Sequence, residues 1–552
     1  MIKEKIQNLI TEEILKQQQN QTLAAFEIPE IEIEYPQNNQ HGDYSCNLAL
    51  KLAGLLQRNP MELGNQIILG LRQRIADDKM IERVELAPPG FINFYLKSSW
   101  LSEATQMIIT KGQDFGKSNI GHRKKIQVEF VSANPTGPLH VGNGRGSFLG
   151  DTLANILTHV GYQVEREYYV NDIGKQVDTL GESVLRRYLQ RNGIPVPYPE
   201  YCYQGEYIKD LAKSFVLRNY TLNSAQKIDE IKEKTKMTVL TKMLKQIRAF
   251  LENKLNIKYD VWFSEKSLID SGRFEKTISN LKEKGLTYEQ DGAVWFKSTE
   301  FGDDKDRVLI KKDGRPTYFA TDIAHHEVNF ETNSRKINIL GADHHGEIPR
   351  LQAALKALGY EGRLDVIFVQ LVRLLEGGYE VKMSKRSGTF ITLEELIEEV
   401  GLDVARFFFL MYAVSTHMDF DLSLARKKSS KNPVYYVQYA HARICSIMEK
   451  LKKEEGTLNK FKAELKHPSE LILAKELTKF PDLLQEISRS YEVHRLPFYT
   501  IEIAKKFHDF YAQCKVIEEG NLNEERLQLI QATQITLQNA LSLMGVSAPV
   551  KM

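Results

Sequence analysis

A chain of 552 residues is too long for one hydrophobic core and predicts about three or four domains. Its composition, 42% apolar and 26% charged, is that of an ordinary globular protein, and its longest apolar run, FFFLMYAV at 407–414, is far short of a membrane span. The net charge of +2 neither demands nor excludes a nucleic-acid partner. The four cysteines, far apart and without a CxxC pair, argue against a zinc ribbon or a disulfide scaffold and fit a reducing cytoplasm.

In chain order, Ile2, Ile6, Leu9, Ile10 and Ile14 recur at helical spacing among Glu4, Glu12 and Glu13, which predicts an amphipathic helix and not a targeting segment. HGDYSCNLALKLAGLL then predicts a loop leading into a helix, and RVELAPPGFINFYL alternates as strands around a Pro-Pro-Gly turn. Residues 1–115 are read as an N-terminal α+β domain. IQVEFV, from Ile126, is a short strand. Leu149, Leu153, Ile156, Leu157 and Val160 form one helical apolar face, and YQVEREYYVND is a further strand. Strand, helix and strand in that succession make a βαβ unit and imply a parallel sheet. INILGADHHG and LDVIFVQLVRLL resume the strand rhythm later, so the sheet is expected to be split by an insertion at about 180–300. Residues 116–421 are read as that Rossmann-type parallel-sheet domain, and 422–552, where long helical stretches dominate, as an all-α helical-bundle domain. The expected fold class is multidomain α/β.

ANPTGPLHVGNGRG, Ala133–Gly146, is a glycine-rich turn between the first strand and its helix. Such a turn lets backbone approach phosphate and presents the unpaired N–H groups of a helix N-terminus. Ligands of open α/β sheets bind at the carboxyl ends of strands, which is where this turn lies. No Walker loop is present, and Gly142, Gly144 and Gly146 fall as GxGxG without a clear acidic ribose partner, so the dinucleotide fingerprint is absent too. Further on, KMSKRSGTFITLEEL gathers Lys382, Lys385 and Arg386 beside Gly388, and such cations suit a polyphosphate leaving group. Taken singly, the first element fits a structural turn equally well and the second fits a solvated basic loop better.

Together the two resemble the signature motifs of the class I aminoacyl-tRNA synthetases. His140-Val141-Gly142-Asn143 stands where that family has HIGH, with Asn143 in place of the final histidine, and Lys382–Arg386 stands for KMSKS. VEFVSANPTGPLHVGNGRG, YYVNDIGKQ, FGDDKDRVLIKKDGRPTYFATDIAHH, GADHHG, NPVYYVQYAHARI and GVSAP resemble the arginyl-tRNA synthetase branch, and the likeness runs from the N-terminal unit to the last residues. The resemblance implies an arginine–tRNA ligase whose partners are ATP with Mg2+, L-arginine and tRNA(Arg), cytoplasmic, with no membrane and no tightly bound protein metal. A monomer is the default, from the balanced charge. The family also implies that tRNA must be present for the activation step.

The residue roles follow from the same resemblance. Catalytic roles fall to His140, Asn143, Lys382 and Lys385, and ATP contacts to Gly137, His140, Gly142, Asn143, Gly341, Asp343, Met383 and Ser384. Arginine contacts fall to Glu129, Ser132, Asn134, Tyr318, Asp322 and His344, and tRNA contacts to Phe91, Asn93, Tyr435, Tyr436, Tyr439 and Arg443. The chemistry agrees, since a guanidinium is recognised bidentately by carboxylates. On residues alone, however, Glu129 also fits a strand-edge ion pair, Asp322 a helix N-cap, Asn171 and Asp172 an Asx turn, and the tyrosines helix packing. The cluster Arg426, Lys427, Lys428 and Lys431 fits phosphate contacts. Another class I synthetase or a related nucleotidyltransferase using the same ATP site, and a catalytically silent paralogue that only binds tRNA or partners, are the competing readings. The acids Glu129 and Asp322 argue against the first, and His140 with Lys385 against the second.

Overall fold

The computed structural model describes residues 2–36, 38–215, 225–381, 391–453, 464–518 and 521–552. The expected residues Lys382, Met383, Ser384 and Lys385 lie outside the described residues.

The centre of the molecule is a five-stranded parallel sheet. Its strands are β1 (Lys125–Glu129), β2 (Gln163–Val170), β3 (Val261–Ser264), β4 (Arg335–Gly341) and β5 (Leu364–Val369), and helix α1 (Val141–His159) links β1 to β2. The spatial order is β5-β4-β1-β2-β3, with Ile126 of β1 opposite both Arg335 and Val164. This is the doubly wound order, and its topological switch lies where β1 and β4 meet. The expected insertion at 180–300 holds one strand of the sheet itself, β3, whose brevity hides it in the sequence. Helices Lys175–Arg191, Glu206–Ser214 and Ala225–Ala249 precede β3. A small antiparallel sheet of Thr287–Gln290, Ala293–Phe296 and Arg307–Ile310 follows it and leads into helix α2 (Tyr318–Phe330).

α2 is two-faced. Phe319, Ala320, Ile323 and Ala324 join the apolar core under the small sheet, while His325, His326 and Asn329 turn polar groups toward β2 and β4. α1 is buried almost all round, as a helix sandwiched between layers must be.

Ahead of this domain, helices pack on a four-stranded antiparallel sheet whose hairpin Ile81–Ala87/Phe91–Leu96 closes with Ala87 opposite Phe91. Behind it stand the helices Pro433–Lys453, Pro468–Thr478, Phe480–Ser490, Arg495–Gln513 and Glu524–Leu543. The two ends of the chain meet: the Asn539 amide donates to the carbonyls of Gly112 (2.9 Å) and Phe115 (3.1 Å), and Lys475 pairs with Asp43 at 2.6 Å. Arg406, 1% exposed, donates to Asp151 of α1 at 2.8 Å, to the Leu255 carbonyl at 2.6 Å and to the Met544 carbonyl at 3.1 Å. One buried guanidinium thus joins the central helix, the insertion and the C-terminal helices. Among the described residues no helix is long and apolar enough to cross a membrane.

Candidate functional site

The carboxyl edge of the sheet collects the predicted residues. Glu129 ends β1, Asn171 and Asp172 follow β2, Glu265 follows β3, and Asp343 with His344 follows β4. The turn leaving β1 holds Val131 (φ 69°) and Ser132 (φ 38°) in the left-handed region, which is costly for a β-branched residue. Its backbone is pinned from behind: the Tyr168 hydroxyl donates to the Ala133 carbonyl and the Tyr207 hydroxyl to the Thr136 carbonyl, each at 2.8 Å. Asn134 is exposed on this turn, and Gly137 lies against the Tyr207 ring.

His140 is the N-cap of α1, with extended backbone (φ −93°, ψ 166°). Asn143 stands three positions on, and its Oδ1 accepts the His140 backbone N–H at 3.0 Å. That is the returning arm of a capping box, and it satisfies a donor the helix cannot. A Cβ on Gly142 would lie 3.0 Å from the His140 ring, so the absence of a side chain there lets the imidazole lie across the helix start.

The acids separate into two sets. Glu129 is the ion pair that its strand position allowed: Lys336 on β4, fully buried, binds it at 2.8 Å and Glu167 on β2 at 2.7 Å. Burial opposes the charge on Lys336, but these two carboxylates outweigh it and hold the ammonium above the ordinary lysine range. Burial likewise opposes the charge on Glu167, and Lys336 with His325 holds that carboxyl well below the usual range. Ser132 donates to Glu129 at 3.0 Å and accepts the Tyr169 N–H at 3.0 Å, so the groups of Glu129 and Ser132 are engaged within the protein. Glu129, Glu167 and His325 come close enough to ligate a metal, but the Lys336 ammonium already lies among them, 3.4 Å from His325 Nε2.

The second set has no salt-bridge partner among the described residues. Asp322 is not the N-cap of α2. Thr317 is, its hydroxyl accepting the Ala320 N–H at 3.3 Å, and this corrects the capping alternative for Asp322. Burial, then the charges of Glu265, Glu129 and Glu347, push the Asp322 carboxyl up to about 8, with Arg350 opposing them. Glu265 is buried and accepts the Thr321 hydroxyl at 2.9 Å, and burial raises its carboxyl as well. The Tyr169 phenol is pushed far up by burial and then by the charges of Glu265, Asp322 and Glu129. Sequence reading missed Glu265 and Tyr169. Tyr318, the first residue of α2 and 58% exposed, brings its hydroxyl 3.1 Å from where a Cβ of Gly174 would be.

Asp172 departs from its Asx alternative: instead of its own turn it reaches across to the start of the helix after β3, accepting the Ser264 hydroxyl at 2.5 Å and the Lys266 N–H at 2.9 Å. Asn171 brings its amide 3.2 Å from Glu265. Gly341 ends β4 at the switch point and Asp343 follows it, its carboxylate open to solvent. His344 pairs with Glu347 at 3.0 Å on the same exposed turn.

The expected RNA contacts divide too. Asn93 is buried, and its Oδ1 accepts the Ser45 hydroxyl at 2.7 Å, so its side chain serves the N-terminal sheet and does not face a partner. Phe91 is half-buried at the start of its strand. Tyr435 and Tyr439 lie nearly parallel (6°) with ring centres 6.4 Å apart, and His508 extends the row 6.1 Å beyond Tyr439. Tyr436 packs on His508 at 5.0 Å, and Arg443 sits over the Tyr511 ring at 4.4 Å. Arg426 is held by Glu376 and Glu399, while Lys427, Lys428 and Lys431 are exposed.

Comparison with known proteins agrees along the chain. The family described as "Arginyl tRNA synthetase N terminal domain" matches residues 4–96, "tRNA synthetases class I (R), catalytic domain" matches 103–408, and "DALR anticodon binding domain" matches 437–552. An arginine–tRNA ligase of Carboxydothermus hydrogenoformans is 46% identical over 533 residues, 94% of each chain. One of Bacillus subtilis is 44% identical over 563 residues, spanning 100% of both. The solved structure of Thermus thermophilus arginyl-tRNA synthetase covers 100% of both chains with a TM-score of 0.78 at 21% identity, a likeness of fold. With the catalytic-domain match extending over more than half its length and relatives this similar, the chain belongs to the arginyl-tRNA synthetase family of class I tRNA synthetases.

Proposed function

We propose that the chain joins L-arginine to AMP at the expense of ATP, releasing pyrophosphate, and passes the arginyl group to the 2′-hydroxyl of the terminal adenosine of tRNA(Arg). The observation that supports this reading is the acid pair of half-buried Asp322 and buried Glu265, which has no cation paired with it among the described residues and lies at the edge where ligands of such sheets bind. An arginine side chain supplies that cation in a planar form that two carboxylates can grip.

The arginine carboxylate, ionised at neutral pH, attacks the α-phosphorus of ATP. A carboxylate oxygen–phosphorus bond forms as the bond to pyrophosphate breaks, and no general base is required. Catalysis then consists of positioning and of stabilising charge on the leaving group. Asp322, Glu265 and Tyr318 hold the guanidinium, and Glu129, neutralised by Lys336, braces the turn through Ser132. Asn134, on the outer side of the turn, takes the amino-acid end. The N-terminus of α1, His140 and the Asn143 amide nitrogen face the triphosphate, Gly142 leaves room for the adenine, and Asp343 accepts the ribose hydroxyls. Lys382 and Lys385 neutralise the outer phosphates. Magnesium arrives with ATP as part of the substrate. tRNA(Arg) is required before activation, and its anticodon bases stack on the row of Tyr435 and Tyr439. The enzyme acts as a cytoplasmic monomer, and its four unpaired thiols suit that reducing compartment.

The acid pair makes a signed prediction. Below about pH 8 Asp322 carries a proton that the incoming guanidinium must displace, so arginine binding releases a proton. In tRNA-dependent ATP–pyrophosphate exchange, KM for arginine falls by up to roughly tenfold per pH unit as pH rises towards 8, then levels off. Asp322→Asn removes the slope and raises KM at high pH by roughly 2–5 kcal/mol-equivalents. The same slope in the variant, or none in the wild type, would overturn the assignment.

A further inference from the structure

Arg145 opens the second turn of α1, two residues after Asn143, and is 3% exposed. A buried cation without compensation is costly, and burial pulls this one down to about 10. Among the described residues no carboxylate pairs with it. Its two arms instead donate to backbone: Nη1 to the Gln370 carbonyl at 2.8 Å and Nη2 to the Ala413 carbonyl at 2.7 Å.

Those carbonyls precede two neighbouring strands, Gln370 closely and Ala413 across a short turn. Gln370 leads into Val372–Glu376 and Ala413 into Met418–Asp421, which pair in parallel with Val372 opposite Met418. From the other direction, residues 391–393 return to the same turn. The Leu393 N–H donates to the Leu139 carbonyl at 2.9 Å, and His140 lies opposite Thr392. A Cβ on Gly144 would lie 2.8 Å from Leu393 Cδ1, so glycine is what lets this return seat against α1. Both described ends of the 370–393 stretch are therefore fastened to Leu139–Arg145, the turn that carries His140.

We propose that Arg145 is a positioning residue for the activation step, tying the backbone at Gln370 and at Ala413 to the turn at His140, beside the Ile391–Leu393 return, so that ATP is held on that turn in one register. The inference rests on the ATP-binding reading above. Only a guanidinium does this work: its planar fork reaches two carbonyls on separate segments, whereas a lysine ammonium on a flexible stem keeps the charge without that geometry.

The test compares wild type with Arg145→Lys and Arg145→Ala by tRNA-dependent ATP–pyrophosphate exchange and by amide hydrogen exchange at Leu393. Arg145→Lys keeps KM for arginine within about twofold while kcat falls roughly 10- to 100-fold, as for a misplaced reactant. The Leu393 amide exchanges faster in both variants. Unchanged kcat in both variants overturns the proposal. So does a parallel shift of both KM values and of thermal stability, which would mean a role in folding only. If wild type shows no arginine-dependent exchange while the variants loosen Leu393, the ATP reading falls and the tether itself stands.

Discussion

The amide of Asn143 has two ends, one held by the fold and one that the function proposed above assigns to substrate. Its oxygen takes the His140 N–H, and the planar group directs its nitrogen away from that bond. Asn143→Asp separates these duties. It keeps the acceptor and places a charge that the α1 N-terminus favours by about 0.3–1 kcal/mol, so the thermal midpoint holds or rises. The same charge opposes the triphosphate, and KM for ATP in the exchange assay rises about tenfold or more. An unchanged KM for ATP would remove Asn143 from the phosphate site. The His140/Asn143 spacing of a capping pair is visible in the sequence, as are Asp322 and Tyr318 once the family motifs are seen. Glu265 and Tyr169 were not legible, because each has an ordinary strand-end context. They become site residues only because the spatial order places β3 beside β2, bringing Glu265 and Tyr169 to α2.

Strands β1, β2 and β4 owe their inner charge balance to one side chain. Lys336 sits in KINIL, which reads as a strand with a polar first residue, and nothing local pairs it with Glu129 and Glu167. Lys336→Met leaves two buried carboxylates facing each other and costs about 3–5 kcal/mol, measured as a shift of the denaturation midpoint. A loss below about 1 kcal/mol, the range of an exposed pair, would show that the network is not closed to water. The elements themselves were largely readable, because strand alternation and the apolar face of α1 are local signals. The start of α2 was not. Thr317 takes the cap that Asp322 could have filled, because Tyr318 and Phe319 already belong to the helix, and this frees the Asp322 carboxyl for the site. The four-residue β3 was lost inside the charged insertion for want of length.

At the scale of the whole molecule, the three units form a continuous body. Arg406 links the central helix to the last helix, and the N-terminal unit docks on the C-terminal helices through Asn539 and Lys475. The row of Tyr435, Tyr439 and His508 thus belongs to the same packed body as the turn at His140, and on the function proposed above RNA held at one acts on the other through these contacts. The central claim is that this frame activates one amino acid, and only when its tRNA is seated. ATP–pyrophosphate exchange with each amino acid, with and without tRNA(Arg), tests it most directly. The account predicts exchange with arginine alone, and only after tRNA(Arg) is added. Exchange driven by a different amino acid would contradict it.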